Sequence, residues 1–269
     1  TLNPGDNPWT PIESLGDLTI YDQTEPAEVV QRAIDAEVIL TNKVELSGDV
    51  IAKLPNLKMI AVTATGYNVV DVEAARRREI PVTNVPVYST DAVAQHVFSV
   101  LLSFIHRPYE HHLAIQRGDW QSQENFSFWL SPLAELSGKT MGLVGLGRIG
   151  RATAKIANAF GLRVVANSRR NVDPLPYGGF EWLSIEELFS QSDYISLHCP
   201  QTQETTGFVN RELIKKMRPD AVLINTARGG LVNEQDLADA LNGGQLGGAL
   251  LDVVSQEPIA ESNPLLGAR

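Results

Sequence analysis

The chain has 269 residues, a net charge of −10 and one cysteine, Cys199. This length allows two domains with separate cores, and the apolar and charged fractions are those of a soluble globular protein. The acidic balance argues against nucleic acid as a partner, and the single cysteine excludes an internal disulfide or a thiolate metal cluster, which fits a reducing cytoplasm.

The opening segment Thr1 to Trp9 is turn-forming and has neither the basic nor the apolar region of a signal peptide. Strand and helix patterns then alternate. Leu18–Tyr21 reads as a strand, Ala27–Ala36 as a helix with Pro26 in its first turn, and Val38–Thr41 as a strand. Val50–Leu54 is a short helix. Met59–Thr63 is a strand ending at Ala64-Thr65-Gly66, Val70–Arg78 a helix and Ile80–Thr83 a strand. This pattern predicts a small βα domain with parallel strands.

A long helix follows, capped by Thr90 or Asp91, with Val93, Val97, Val100, Leu101 and Phe104 at helical spacing. Its apolar run, Val97 to Ile105, is too short to cross a bilayer. Pro108 should break it, and Gly118 should end the continuation. The segment 119–136 is irregular and aromatic, with Trp120, Phe126, Phe128 and Trp129, so it should pack on its own domain or on a second subunit. Strands are then expected at 140–145, 163–167, 194–198, 221–225 and 248–252. A capping box at Ser184–Glu187 and a cap at Asn233 start two of the intervening helices.

Gly145-Leu-Gly147-Arg148-Ile149-Gly150 lies between the first of these strands and a helix. One glycine allows the tight turn, the next lets the backbone approach a pyrophosphate, and the last lets helix and strand pack closely. The helix N-terminus offers free N–H groups to phosphates. The competing reading is a glycine-rich turn without a ligand. No V-A-I-K-like lysine follows, which disfavours a kinase loop. At the end of the next strand, where a carboxylate would bind a ribose 2′-OH, stand Ser168, Arg169 and Arg170. These donors suit a 2′-phosphate, so NADP(H) is expected ahead of NAD(H). The alternative is that both arginines are solvated and the site takes NAD(H).

Three further stretches carry a family resemblance: Ser196-Leu-His-Cys-Pro200 with Gln201-Thr-Gln-Glu-Thr205, Asn225-Thr-Ala-Arg-Gly-Gly-Leu-Val232, and Gly247 to Pro258. With the glycine loop they resemble the D-isomer-specific 2-hydroxyacid dehydrogenases along essentially the whole chain. Ala61 to Asp71 and Asn84 to Thr90 look most like the glycerate dehydrogenase (hydroxypyruvate or glyoxylate reductase) branch.

The resemblance implies an α/β fold in which a Rossmann-type doubly wound sheet is inserted into a smaller flavodoxin-like substrate domain. The expected division is 1–90 for an incomplete substrate domain, 91–118 for a connecting helix and 119–269 for the NAD(P)-binding domain. It implies hydride transfer between NAD(P)H and a 2-keto acid, with hydroxypyruvate or glyoxylate reduced to D-glycerate or glycolate, in a homodimer. Arg228 matches the arginine that binds substrate carboxylate and carbonyl. Glu257 matches the glutamate that orients a catalytic histidine. Ala64, Thr65 and Gly66 match the substrate loop, and Cys199, Pro200, Thr205, Thr226, Ala227 and Asp252 match cofactor-lining positions. Beside these stand plainer readings: Arg228 as a structural ion-pair partner, Glu257 as a solvated acid, Cys199 as a wall residue.

The family histidine lies in a Pro-His-x-Ala-Trp-like motif beyond the glutamate. None of His96, His106, His111, His112 and His198 matches it. The chain is therefore expected to lack the first strand and the carboxyl-terminal segment, and the 269-residue form to be nearly inactive. Two alternatives stay open. One is another substrate in the same family: D-lactate, D-3-phosphoglycerate, formate or phosphite. The other is a corepressor-like protein that senses NAD(H) without turnover.

Overall fold

The computed structural model describes residues 8–169 and 173–268. The chain divides into two compact units, Thr1–Tyr88 and Ser89–Arg269.

In the first unit α1 (Thr10–Glu13) is followed by a 3₁₀ turn, Pro26–Glu28, that runs into α2 (Val29–Ala33). Then come β1 (Val38–Thr41), α3 (Gly48–Ala52), β2 (Met59–Val62), α4 (Val72–Arg77) and β3 (Val82–Asn84). The three strands are parallel, in the order β1-β2-β3. Leu46, Ile51, Leu54, Ile60 and Ala75 fill the core beneath them. Asp71 caps α4 by accepting the Ala74 N–H at 2.9 Å. The strand expected at Leu18–Tyr21 does not form: the described residues offer it no ladder, and Ile20 and Tyr21 stay exposed.

The second unit opens with α5 (Thr90–His106) and α6 (Pro108–Gln116). Arg107 breaks them apart with φ +47°, and Pro108 takes the first turn of α6, where its missing N–H costs nothing. α5 buries Ala94, Val97, Phe98, Leu101 and Ile105, one face at helical spacing. There follow β4 (Thr140–Val144), α7 (Arg148–Ala159), β5 (Arg163–Asn167), β6 (Glu181–Trp182), α8 (Ile185–Gln191), β7 (Tyr194–Leu197), α9 (Arg211–Ile214), β8 (Val222–Asn225), α10 (Glu234–Asn242) and β9 (Gly248–Leu251). α5, expected in a connection over 91–118, thus belongs with this unit; its Val97, Leu101 and Ile105 share one core with Met141, Ala157 and Val164.

All six strands are parallel, in the order β6-β5-β4-β7-β8-β9. Residues alternate between two apolar layers. Met141, Leu143, Val164 and Ile224 face the α5 side, and Val144, Val165, Ile195 and Leu223 face the side of α8 and α10. The winding reverses between β4 and β7, so the carboxyl ends of these strands form the switch point where doubly wound sheets bind ligands. Among the described residues no helix is long and apolar enough to cross a membrane.

Candidate active site

The glycine loop sits at that switch point. Gly145 follows β4 with φ +99°, a backbone state that a side chain would strain. Its N–H donates to Asn167 O at 2.7 Å, and a Cβ there would lie 2.8 Å from the His198 and Cys199 backbone. The loop therefore lies directly against the end of β7. Gly150 packs as closely on the Gly145 carbonyl, while a Cβ at Gly147 would meet nothing within 4 Å. Gly147 stands at the N-cap of the 12-residue α7, whose first turn carries Arg148 and Ile149. This bare, open helix start is the cradle a pyrophosphate requires.

Around the loop, His198 Nε2 lies 3.0 Å from Ser196 Oγ, and burial pushes its pKa down to about 4, so the ring is neutral. Burial pushes the Cys199 thiol up to about 11, which makes it a wall group and not a nucleophile. Pro200 begins a turn whose hydroxyls are committed: Thr205 Oγ1 donates to Pro200 O at 2.8 Å and accepts from the Thr202 N–H at 2.7 Å. Ser168 is half-buried at the end of β5, and exposed Arg169 pairs with Glu204. Arg170 lies outside the described residues.

The turn after β8 carries Thr226, Ala227 and Arg228. Asn225 is almost fully buried and clamps this turn: its Nδ2 donates to Arg228 O at 2.9 Å, and its Oδ1 accepts the Ala227 N–H at 3.1 Å. Arg228 is exposed, with only a 2.7 Å bond from Nη1 to Ala227 O among its side-chain contacts in the described residues. Buried Thr226 Oγ1 has no hydrogen-bond partner among the described residues. An orphaned hydroxyl in the turn after a strand of the switch-point sheet leaves a hydrogen-bonding group for a ligand to satisfy. Together with the glycine cradle, it fits a dinucleotide.

Glu257 lies exposed in the loop after β9. That loop is brought to Arg228 through Gly229, where a Cβ would fall inside the Val254 backbone. Glu234 fixes the same loop: Oε1 accepts the Ser255 N–H at 2.7 Å, while Oε2 accepts Ser255 Oγ at 2.7 Å and Asn263 Nδ2 at 3.0 Å. The Asp252 N–H donates to Asn225 O at 3.0 Å. His96 on α5 is half-exposed, with Nε2 3.2 Å from Asp252 Oδ1. This hydrogen bond stands in place of apolar packing because the helix turns that edge toward solvent. His106 and His112 are exposed, and the His111 ring lies against Phe128.

In the first unit the loop Ala64-Thr65-Gly66 leaves β2 and is tied down by its neighbours. Thr65 Oγ1 donates to Val85 O at 2.8 Å, Asn84 Nδ2 to Thr65 O at 2.8 Å and the Val85 N–H to Ala64 O at 3.1 Å. A cavity of about 510 Å³ lined by Tyr67, Arg76 and Asn84 opens beside it. The second unit has one of about 230 Å³ lined by Phe104, Lys139 and Asp220, at the sheet end away from the glycine loop.

Sequence motifs thus located the glycine loop and Arg228 but not Asn225, Glu204 or Glu234. Asn225 had a visible signal, a polar residue closing an apolar strand; the two glutamates had none, because their partners are distant in sequence.

A family model described as "D-isomer specific 2-hydroxyacid dehydrogenase, NAD binding domain" matches residues 98–269. The chain is similar to a hydroxypyruvate reductase of Blautia hydrogenotrophica, 46% identical over 271 residues, covering 100% of this chain and 84% of the relative. It is 39% identical to a glycerate dehydrogenase of Methylorubrum extorquens, over 92% of this chain and 77% of that one. Among solved structures it resembles an acyclic imino acid reductase (Bsp5) in complex with NADPH and D-Arg. The TM-score is 0.83 and the identity 33%, over 96% of this chain and 81% of that one.

Proposed function

The chain belongs to the D-isomer-specific 2-hydroxyacid dehydrogenase family, an oxidoreductase family that uses a nicotinamide cofactor, and we propose that it reduces hydroxypyruvate and glyoxylate to D-glycerate and glycolate. The observation that carries this substrate class is the likeness of the whole chain to a hydroxypyruvate reductase.

Bound NAD(P)H supplies a hydride to C2 of the keto acid; the carbonyl oxygen takes a proton. Arg228 stands beyond the carboxyl end of β8, held by Asn225, with its fork directed to no carboxylate among the described residues. It pairs with the substrate carboxylate and stabilises the negative charge that grows on the carbonyl oxygen. In the family's pattern Glu257 would orient a catalytic histidine, and that histidine would donate the proton to the carbonyl oxygen. In the first unit the Ala64-Thr65-Gly66 loop is the candidate substrate loop, its backbone N–H groups being suited to a carboxylate. Gly145, Gly147 and Gly150 admit the pyrophosphate to the start of α7, while Cys199, Pro200, Thr205, Thr226, Ala227 and Asp252 line the cofactor, Thr226 through its orphaned hydroxyl. Ser168, Arg169 and Arg170 take a 2′-phosphate, so NADP(H) is preferred and NAD(H) accepted. The chain works as a homodimer in a reducing cytoplasm.

The test is a panel of hydroxypyruvate, glyoxylate, pyruvate and phosphohydroxypyruvate with NADPH and with NADH. Highest kcat/KM for hydroxypyruvate with NADPH is expected of a protein that includes the catalytic histidine. Tight NADPH binding without turnover of any keto acid would instead make this a binding protein.

A further inference from the structure

Arg169 and Glu204 form an ion pair, Nη1 to Oε2 at 2.8 Å, that neither the fold nor the reaction requires. The two side chains are 67% and 76% exposed, and such pairs contribute little to stability. The position is what gives this one meaning. Arg169 follows β5 and Glu204 follows β7, and these strands flank β4, which feeds the glycine loop. The pair therefore ties together the chain segments on either side of the strand that presents the pyrophosphate cradle.

Glu204 is also presented by a built turn. The Thr202 N–H donates to Thr205 Oγ1 at 2.7 Å, Thr206 Oγ1 donates to Thr202 O at 2.8 Å, and the Gly207 N–H donates to Gly230 O at 2.8 Å. The last bond roots the turn beside Arg228. On the other side, Arg151 of α7 bonds the Asp173 carbonyl, so the chain is held again shortly after Arg169.

We propose that Glu204 is a cofactor-selectivity residue: it holds the Arg169 guanidinium as an internal anion in the place of the 2′-phosphate of NADP(H). The proposal rests on the assignment of Arg169 to that phosphate. A guanidinium binds phosphate best when its fork is free. Here one arm is already given to a carboxylate. NADP(H) must displace that carboxylate and leave two anions side by side. The neutral 2′-OH of NAD(H) displaces nothing and brings no like charge. Glu204 thus lowers the preference for NADP(H) that the arginine creates and keeps the site open to both cofactors.

The experiment is a fluorescence titration of NADPH and NADH with wild type, Glu204→Gln, Arg169→Ala and the double variant, with thermal melts to confirm folding. The quantity read is the ratio of the Kd for NADH to that for NADPH. Glu204→Gln keeps the shape and removes the charge, so the ratio should rise about fivefold, the range of an exposed ion pair. In the Arg169→Ala background the same substitution should leave the ratio where Arg169→Ala alone puts it. A rise in both backgrounds overturns the proposal, because Glu204 then acts without Arg169. An unchanged ratio in Glu204→Gln, with a collapsed ratio in Arg169→Ala, also overturns it and leaves the NADP(H) assignment standing. An unchanged ratio in Arg169→Ala removes that assignment and the proposal with it.

Discussion

At Asn225 a single buried amide satisfies the Arg228 carbonyl and the Ala227 N–H, one at each end of the turn that carries Arg228, the arginine proposed to bind substrate. Asn225→Ala would leave both backbone groups without a partner, which costs about 2 kcal/mol of stability. It would also release the turn, so kcat/KM for hydroxypyruvate should fall by about tenfold, since one such loss of orientation is worth that much. Urea unfolding and steady-state kinetics check the two effects separately; a stable variant with normal kcat/KM would show that Arg228 is oriented by something else. His198 makes a different prediction. Its pKa is pushed from the ordinary 6.5 to about 4 by burial. Between these values the unfolded chain binds a proton that the folded chain refuses. Stability is therefore lost as pH falls from about 6.5 to about 4, by up to about 3 kcal/mol, and is level below. His198→Asn removes the titration, and its melting temperature should fall less steeply between pH 7 and pH 4. Equal acid limbs in both proteins would place the acid sensitivity elsewhere. Position was legible where a motif fixes spacing, as at Gly145 and Arg228, which follow β4 and β8. It was not legible for Glu204, whose partner is 35 residues away.

At the scale of elements, α10 organises the loop that carries Glu257. Asn233 caps the helix by accepting the Asp236 N–H at 3.1 Å, and Glu234, next to it, receives three hydrogen bonds from Ser255 and Asn263. The helix end and the loop are thus one piece. Glu234→Ala frees the loop at Ser255 and Asn263. It should lower kcat severalfold while the affinity for NADPH, proposed to rest on the glycine loop after β4, changes less. Glu234→Gln retains an acceptor and should recover part of the rate. Equal losses in kcat and NADPH affinity would point to a general loss of folding. The elements themselves were well marked in the sequence. Each of the five strands expected in the second unit forms within a residue of its expected bounds, because buried parallel strands are short apolar runs between turn residues. The failures share a cause. Leu18–Tyr21 has the pattern of a strand but no neighbour to pair with, whereas β6 has only Glu181 and Trp182 and forms because β5 lies beside it. Strands depend on a partner that a local pattern does not contain.

For the whole molecule, the alternating pattern implied two units. Their boundary at Tyr88–Ser89 depends on where α5 buries its apolar face, a long-range fact. The same unit leaves large apolar side chains in water. Phe126 is 91% and Trp129 66% exposed, with Tyr109, Ile115, Trp120 and Leu133 also exposed. The segment is not slack: Trp120 Nε1 donates to Phe126 O at 2.9 Å, and the Phe128 ring lies 6.4 Å from Trp120 and 5.8 Å from His111 of α6. Ordered backbone with exposed aromatic tips is what an interface presents before its partner arrives. A second copy of this chain is the partner proposed above, and symmetric pairing would bury the same residues on both copies. Sedimentation of the wild-type protein should give twice the 29.4 kDa chain mass at micromolar concentration. Phe126→Glu with Trp129→Glu places two charges at the centre of that contact and should return the single-chain mass with the α/β circular dichroism intact. A wild type that sediments as a single chain at every concentration would mean that these aromatics serve another surface.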